Sequence, residues 1–524
     1  MVGALKSALF SLALVACSAP AGRVATPAPP EPKGKLVVLV VIDQWPEWSF
    51  EAKRAAFHGG FERLLEQGEW RVGRYPSAAT LTGPDHALLG TGEPPARSGI
   101  VADEWYHRDT KTVLEAVHAP DGSISARWLK VPGMGDAVEA ARRGGKAVDV
   151  ALKPRAAILP LGHRGLSIWY DPATAAWATF QPPAWLGEWN RAHPISDHLH
   201  DVWTPLDPAR IAELAGVPDD QLGEVGSEGF GPTFPHDPQK TKQPAKAVLA
   251  MPLGNELVLD LATHAIEAEQ LGRRKATDLL VIGLSAHDYV GHGWGHESWE
   301  QWDLELRLDA RLGQLLDDLD RLVGANQWSM IVTADHGGSP LPERLGGGRL
   351  THSQIRNAAN NAASAVLGEG TWIADSDYPN IFFTQAMLSQ PASELASASK
   401  RVQDALRSFP GIERVGRVAD FAGHCETRTG EARALCQSFD TERSGDLFYM
   451  LAKGWILQED EEHAATAHGS LHDYDMLVPV IELAPGRARH APANAPSSGE
   501  VDMLSIAPLL ASWLGVAPPA TLQR

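Results

Sequence analysis

Residues 36–43 read LVVLVVID, seven apolar residues in a row followed by a carboxylate. Val and Ile dominate the run and no polar residue interrupts it, the pattern of a strand buried on both faces. KAVDVAL (146–152), DLLVIGLSAHD (278–288) and WSMIVTADHG (328–337) have the same character. Between them stand helical patterns, NELVLDLATHAIEAEQLG (255–272) and EQWDLELRLDARLGQLLDDLDRLVG (300–324). Strand alternating with helix predicts an α/β fold whose mostly parallel central sheet carries helices on both faces. Three of the four strand runs end in polar groups, at Asp43, Asp288 and Asp335-His336. In open α/β sheets ligands bind at that edge.

The chain has 524 residues, 44% hydrophobic and 21% charged, with a formal net charge of -19. Such a negative total argues against nucleic acid or an anionic membrane surface as a main partner. An anionic substrate would need a locally positive site, which metal ions would supply. The stretches 160–250 and 340–475 are rich in Pro, Gly and Trp and less periodic. They read as insertions that cap the polar edge of one catalytic domain over residues 35–524. PGRARHAPANAPSSGE (485–500) reads as a surface loop before a last helix.

The first residues, MVGALKSALFSLALVACSAP, carry one Lys, an apolar run and small residues. This is a secretory signal, too short to span a membrane stably. Leu14-Val15-Ala16-Cys17 resembles a bacterial lipobox, which implies a lipoprotein signal over 1–17 and lipid on Cys17. Ser18 in place of Asp points to the outer membrane, so a periplasmic protein held only by its N-terminal anchor is expected. Residues 18–34, rich in Ala and Pro, form a flexible tether in this reading. The other cysteines are Cys425 and Cys436, and in an exported chain that pair points to a disulfide rather than a metal site.

TLTGPDHALLGTG (80–92) places hydroxyls where a loop turns into a helix. Such a hydroxyl either caps the helix or stands as a nucleophile at a dipole end that suits an anion. The choice depends on what surrounds it. Asp288 and His292, four apart, face the same way on a helical turn, and carboxylate with imidazole suits zinc. Asp335-His336 is a second such pair, Asp43 a third strand-end carboxylate, and HGSLHDYDMLVPVI (468–481) puts His468 before a Gly-Ser turn. Each element alone is weak. Together, three carboxylates and three imidazoles can build two three-ligand sites, the arrangement of a two-metal catalyst.

Asp43, Thr82, Asp288/His292, Asp335/His336 and His468 match, in order, the pattern of the alkaline phosphatase superfamily. The chain resembles most closely the bacterial phosphate-irrepressible alkaline phosphatases that use threonine, relatives of the nucleotide pyrophosphatase/phosphodiesterases, from about residue 36 to 515. The resemblance implies an alkaline-phosphatase-like three-layer sandwich with cap insertions. It also implies two zinc ions, one held by Asp288, His292 and His468, the other by Asp43, Asp335 and His336 with Thr82 against it. Thr82 is then the nucleophile and Thr80 structural. His86 is expected to pack, and His287, His296, His352 and His472 to lie at the surface or behind the ligands.

KAVDVALKPRAAI (146–158) carries Lys153 and Arg155, which match the Lys-x-Arg of the phosphomonoesterase branch. A monoester dianion needs such charge on its non-bridging oxygens, and Arg meets them with a fork of donors. The implied activity is metal-dependent hydrolysis of small phosphate monoesters through a phosphothreonine, with release of inorganic phosphate, by a monomer. One position departs from the pattern: in GIVADEWY (99–106) Asp103 stands where the family has Asn. An ionised Asp103 would repel a phosphoryl oxygen unless it is protonated, turns toward Lys153 or Arg155, or binds a further cation. A phosphodiesterase or phosphonate hydrolase would use the same metals. A sulfatase is disfavoured because no Cys/Ser-x-Pro-x-Arg surrounds Thr82, and a non-catalytic binding protein because the six ligands and the hydroxyl are all retained.

Overall fold

The computed structural model describes residues 34–461, 463–486 and 492–522. The signal segment, Cys17 and the tether as far as residue 33 lie outside the described residues. β1 (Leu36–Ile42) is the apolar run LVVLVVI and is wholly buried, so it needs a neighbour on each side and helices on each face. It finds them in a nine-stranded sheet. In chain order the other strands are β2 (Glu69–Arg74), β3 (Ala147–Ala151), β4 (Leu166–Asp171), β5 (Ala176–Ala178), β6 (Asp278–Leu284), β7 (Trp328–Thr333), β8 (Leu477–Leu483) and β9 (Glu500–Asp502). Across the sheet they run β9-β2-β8-β7-β1-β6-β3-β4-β5. β1 pairs in parallel with β6 and β7, and β3 with β4 and β6, while β8 is antiparallel to both of its neighbours.

Register positions the functional edge. Ile42 lies opposite Leu284, Val41 opposite Thr333, and Ala151 opposite Gly283. The four central strands therefore end level, and the residues just beyond them, Asp43, Asp288, Asp335 and Lys153, emerge along one edge. The expected strand 278–288 is a strand only to Leu284. From Ala286 the chain turns into a helix, and this puts Asp288 and His292 one turn apart.

The helices used below are α1 (Glu47–Lys53), α2 (Thr82–Thr91), α3 (Pro252–Ala268), α4 (Ala286–Trp294), α5 (Trp299–Leu319) and α6 (Ile506–Leu514). α3 and α5 cover the sheet with stripes of buried Leu, Val and Ile, as the periodicity of 255–272 and 300–324 predicts. Within 160–250, β4 and β5 extend the main sheet and the rest is short helices and loops. Within 340–475 a separate four-stranded sheet (Ile373–Asp375, Asn380–Phe383, Ile412–Arg417, Leu447–Leu451) packs on two helices around its own apolar cluster. Cys425 and Cys436 are disulfide-bonded in this lobe, with Cα atoms 5.5 Å apart. Among the described residues no helix is long and apolar enough to cross a membrane.

Candidate metal centre and nucleophile

α2 starts at Thr82 after an extended Leu81 and closes at Gly92, whose φ of 71° is left-handed. The cap position belongs to Leu81 and no side chain caps the helix. The Thr82 hydroxyl is therefore not an N-cap. Its Oγ1 lies 3.5 Å from His336 Nε2 and 3.5 Å from Lys153 Nζ, and it is buried. Thr80, by contrast, donates to the Ser470 carbonyl at 3.3 Å, a tie between loops.

Two groups of donors converge beside Thr82. In the first, Asp288, His292 and His468 each bring a ligand atom within 4.8 Å of the others. His292 Nε2 is 3.1 Å, and His468 Nε2 3.8 Å, from Asp288 Oδ1. In the second, Asp43 and Asp335 gather with His86, whose Nε2 is 3.2 Å from Asp43 Oδ1 and 3.5 Å from Asp335 Oδ2. His336 stands beside that group, its Nε2 3.3 Å from Asp335 Oδ2. All six expected ligands thus meet at one edge, and His86 joins them. The sequence held a signal for it: His86 follows Thr82 by four residues on one helix, hence on the same face.

The imidazoles are oriented alike. Nδ1 of His292, His336 and His468 faces the carbonyls of Thr466, Gly337 and Thr80 at 2.8, 2.9 and 2.8 Å. A carbonyl only accepts, so each Nδ1–H donates and each Nε2 lone pair is left for the site. Asp335 is held likewise: its Oδ1 accepts from the backbone N–H of Gln44 at 3.0 Å and of His336 at 2.8 Å. That N–H lies in the Asp43–Gln44 peptide plane, and the chain beyond it bends through the left-handed φ of Gln44, 55°. Its amide nitrogen also lies 3.2 Å from His292 Nε2. No sequence pattern marks Gln44, because its part depends on a backbone angle.

Asp288 Oδ1 and Asp335 Oδ2 are shielded from solvent without a hydrogen-bond partner, and Asp43 Oδ2 has the Lys153 ammonium at 3.2 Å. Buried acceptors left this way call for a cation. Carboxylates with neutral imidazoles are a donor set suited to zinc, so the residues present fit a divalent metal pair. Electrostatics agrees. Burial, then the charge of Asp43, pushes the Asp335 carboxyl well above its usual range. Burial would raise Asp43 too, but Lys153 and His86 outweigh it and hold Asp43 low. Burial lowers His336 to about 4, and burial with the facing imidazoles of His336 and His292 drives His468 well down. Both rings stay neutral, the form that binds metal.

Lys153, just past the end of β3, points into this group with Nζ 2.5 Å from Asp288 Oδ2 and 3.2 Å from Asp43 Oδ2. Burial works against its charge, yet these carboxylates hold its pKa above the ordinary value. Arg155 Nη2 lies 3.2 Å from Asp103 Oδ2. Asp103 Oδ1 accepts the Gly83 N–H at 2.5 Å. Of the possibilities open to Asp103, the turn toward Arg155 is the one observed, with the helix N-terminus as a second partner. Gly83 permits it, since a Cβ there would stand 3.1 Å from the same oxygen. Of the remaining histidines, His287 and His296 are fully buried rather than at the surface, whereas His352 and His472 are partly exposed.

Comparison with known proteins agrees with this geometry. Alkaline phosphatase PhoK of Sphingomonas sp is 30% identical over 481 residues, spanning 85% of this chain and 83% of that protein. Alkaline phosphatase PafA of Elizabethkingia meningoseptica is 26% identical over 520 residues and 93% of each chain. A crystal structure of PafA superposes with a TM-score of 0.82 at 24% identity, over 93% of this chain and 97% of that one. The fold is thus that of the alkaline phosphatases, a three-layer sandwich with a mostly parallel sheet. The family model described as type I phosphodiesterase / nucleotide pyrophosphatase matches residues 37–475. With Thr82 and the carboxylate–imidazole groups all inside that span, the chain belongs to the type I phosphodiesterase/nucleotide pyrophosphatase family.

Proposed function

We propose that the protein is a zinc-dependent phosphomonoesterase, an alkaline phosphatase, that acts through a phosphothreonine on Thr82. The observation that carries this reading is Lys153 Nζ, 3.5 Å from Thr82 Oγ1, with Arg155 two residues further on the same turn. A monoester presents two negative charges, and these cations with the Gly83 N–H are the chain's own donors for its oxygens. Relatives named alkaline phosphatases over most of their length support the assignment.

In this reading Asp288, His292 and His468 hold one zinc ion, and Asp43, Asp335 and His336 the other. Bound there, the pair supplies positive charge for the attacking and departing oxygens and favours the alkoxide of Thr82. Lys153 and Arg155 orient the phosphoryl group in line with Thr82 Oγ1. The Thr82 oxygen forms a bond to phosphorus as the ester oxygen leaves with its alcohol. Water then forms the next bond to phosphorus and Thr82 is released along with inorganic phosphate. His86, between Asp43 and Asp335, fixes the direction of both carboxylates. Residues 1–17 would export and lipidate the chain at Cys17, with 18–34 as tether and the catalytic domain, monomeric, in the periplasm.

A second reading, a diesterase or phosphonate hydrolase, is favoured by Asp103, which neutralises Arg155 and leaves less charge than a dianion prefers. Steady-state kinetics on matched aryl phosphate monoesters and diesters, with zinc measured on the same sample, decides between them. The monoester is expected to turn over with at least about a hundred-fold higher kcat/KM, roughly 2.7 kcal/mol of transition-state preference. A ratio below one assigns the diesterase.

A further inference from the structure

His287 is fully buried and belongs to neither ligand group, yet it touches both. It immediately precedes Asp288, a ligand of the first group, on α4. Its Nδ1 lies 3.0 Å from the carbonyl of Asp43, a ligand of the second. One residue therefore links the backbone that carries Asp288 to the backbone that carries Asp43. Its other nitrogen, Nε2, lies 3.2 Å from Glu305 Oε1 on α5, and the same oxygen accepts from Lys53 Nζ of α1 at 2.6 Å. His287, Glu305 and Lys53 are 0%, 0% and 2% exposed. Lys53 Nζ also stands over the Trp302 ring, 5.2 Å from its centroid.

A buried ion pair of this kind is a poor source of stability, because desolvation consumes most of what the charges gain. Apolar residues would pack the same space at less cost. What the chain of contacts does provide is direction. Both nitrogens of one ring are engaged, so the ring cannot rotate, and the carbonyl it holds belongs to the residue before the left-handed Gln44. The Gln44 N–H is the other end of that same peptide plane, and it donates to Asp335. The path Lys53–Glu305–His287–Asp43 thus ends at the backbone geometry that brings Asp43 and Asp335 together. Metal ligands owe their placement to such outer contacts.

We infer that Lys53, Glu305 and His287 are positioning residues that fix the second metal group relative to the first, and so set the separation of the two bound ions. The inference rests on the proposed two-zinc reading of the site. Removing the contact leaves every ligand in place but loosens Asp43 with respect to Asp288.

The test is zinc titration by calorimetry of chelator-treated wild type, Glu305→Gln, His287→Gln and His287→Asn, with thermal melting as the control for folding and kcat and KM measured at saturating zinc. An Asn amide nitrogen stands near the Nδ1 position of His and a Gln amide nitrogen near Nε2, so H287N keeps the Asp43 contact and H287Q loses it. E305Q and H287Q are expected to weaken the second zinc equivalent about ten-fold or more. At saturating zinc they should lower kcat with KM for an aryl phosphate unchanged. H287N, which keeps the Asp43 contact and loses only that to Glu305, should lie between wild type and H287Q in zinc affinity. If E305Q and H287Q melt normally and bind both equivalents as wild type does, or if H287N is as impaired as H287Q, the inference is overturned. Should H287Q fail to fold, E305Q carries the same decision, since it alters a single group. A wild type that takes up no pair of zinc ions overturns the two-zinc reading instead, so the two failures are distinguishable.

Discussion

In the proposed reaction, Asp103 is the residue expected to set how much substrate charge the site accepts. Its carboxylate sits on the Gly83 N–H and 3.2 Å from Arg155, the two donors a phosphoryl oxygen would use. Asp103→Asn removes the competing charge while an amide can still reach both. kcat/KM for an aryl phosphate at neutral pH is expected to rise about ten-fold, near 1.4 kcal/mol, and an unchanged or lower value would show that repulsion is not limiting. Thr82→Ala should reduce kcat/KM by at least about 1,000-fold, roughly 4 kcal/mol, with zinc content retained. A variant that keeps most of its activity would remove the phosphothreonine from the scheme. These residues differ in how far the sequence exposed them. Asp43, Asp335 and His336 stand at strand ends that patterning reveals, whereas the choice of Thr82, Lys153, His292 and His468 as candidate site residues came from the family resemblance. His86 was read as a packing residue, although its four-residue spacing from Thr82 puts it on the same face beside Asp43 and Asp335, and Gln44 carried no signal.

At the level of elements, the 160–250 segment meets the start of α5 through several contacts, among them Trp203 with Asp303 and a buried pair, His236 Nε2 to Glu300 Oε1 at 2.9 Å. Burial raises Glu300 to about 10 and lowers His236 to about 3, so the contact is between neutral groups. The unfolded chain releases the Glu300 proton near pH 4.5 while the folded chain keeps it to about 10. Stability is therefore lost as pH rises through that window. His236 acts in the opposite sense: the unfolded chain takes up a proton below about 6.5 and the folded chain does not, so stability is lost as pH falls toward 3. Glu300→Gln should flatten the alkaline side, raising Tm at pH 9 relative to pH 6 by a few degrees, roughly the effect of 1–2 kcal/mol. Equal pH dependence in both proteins would mean that Glu300 is already ionised. This contact could not be foreseen, because its partners lie 64 residues apart and His236 stands in a segment without periodicity. The central strands and α3 and α5 could be foreseen, since burial on both faces or on one stripe leaves a repeating pattern. The end of β6 could not, because 278–288 is apolar in strand and helix alike and only the Ser285 junction separates them.

For the molecule as a whole, three apolar clusters among the described residues, one around the main sheet, one in the 340–475 lobe and a smaller one including Ile100, Trp105 and Ile158, leave the polar edge of the sheet facing the lobe's loops. Tyr378 of that lobe donates to the Gly469 carbonyl at 2.9 Å, next to His468. The lobe carries the Cys425–Cys436 bond. Cys436→Ser should lower stability by about 2–3 kcal/mol, the value for a loop of this length, without changing zinc content. Loss of zinc in that variant would show that the lobe holds the site together. Composition marked 340–475 as an insertion, but the lobe's strands left no pattern, because its short strands and loops are specified by contacts distant in the chain.

The central claim is that folding gathers two cation nests around the Thr82 oxygen. Anomalous diffraction at the zinc edge, from crystals of zinc-treated protein, tests it most directly. Two peaks are predicted, one among Asp288, His292 and His468, the other between Asp43 and Asp335 against Thr82. A single peak, or none at these side chains, would contradict it.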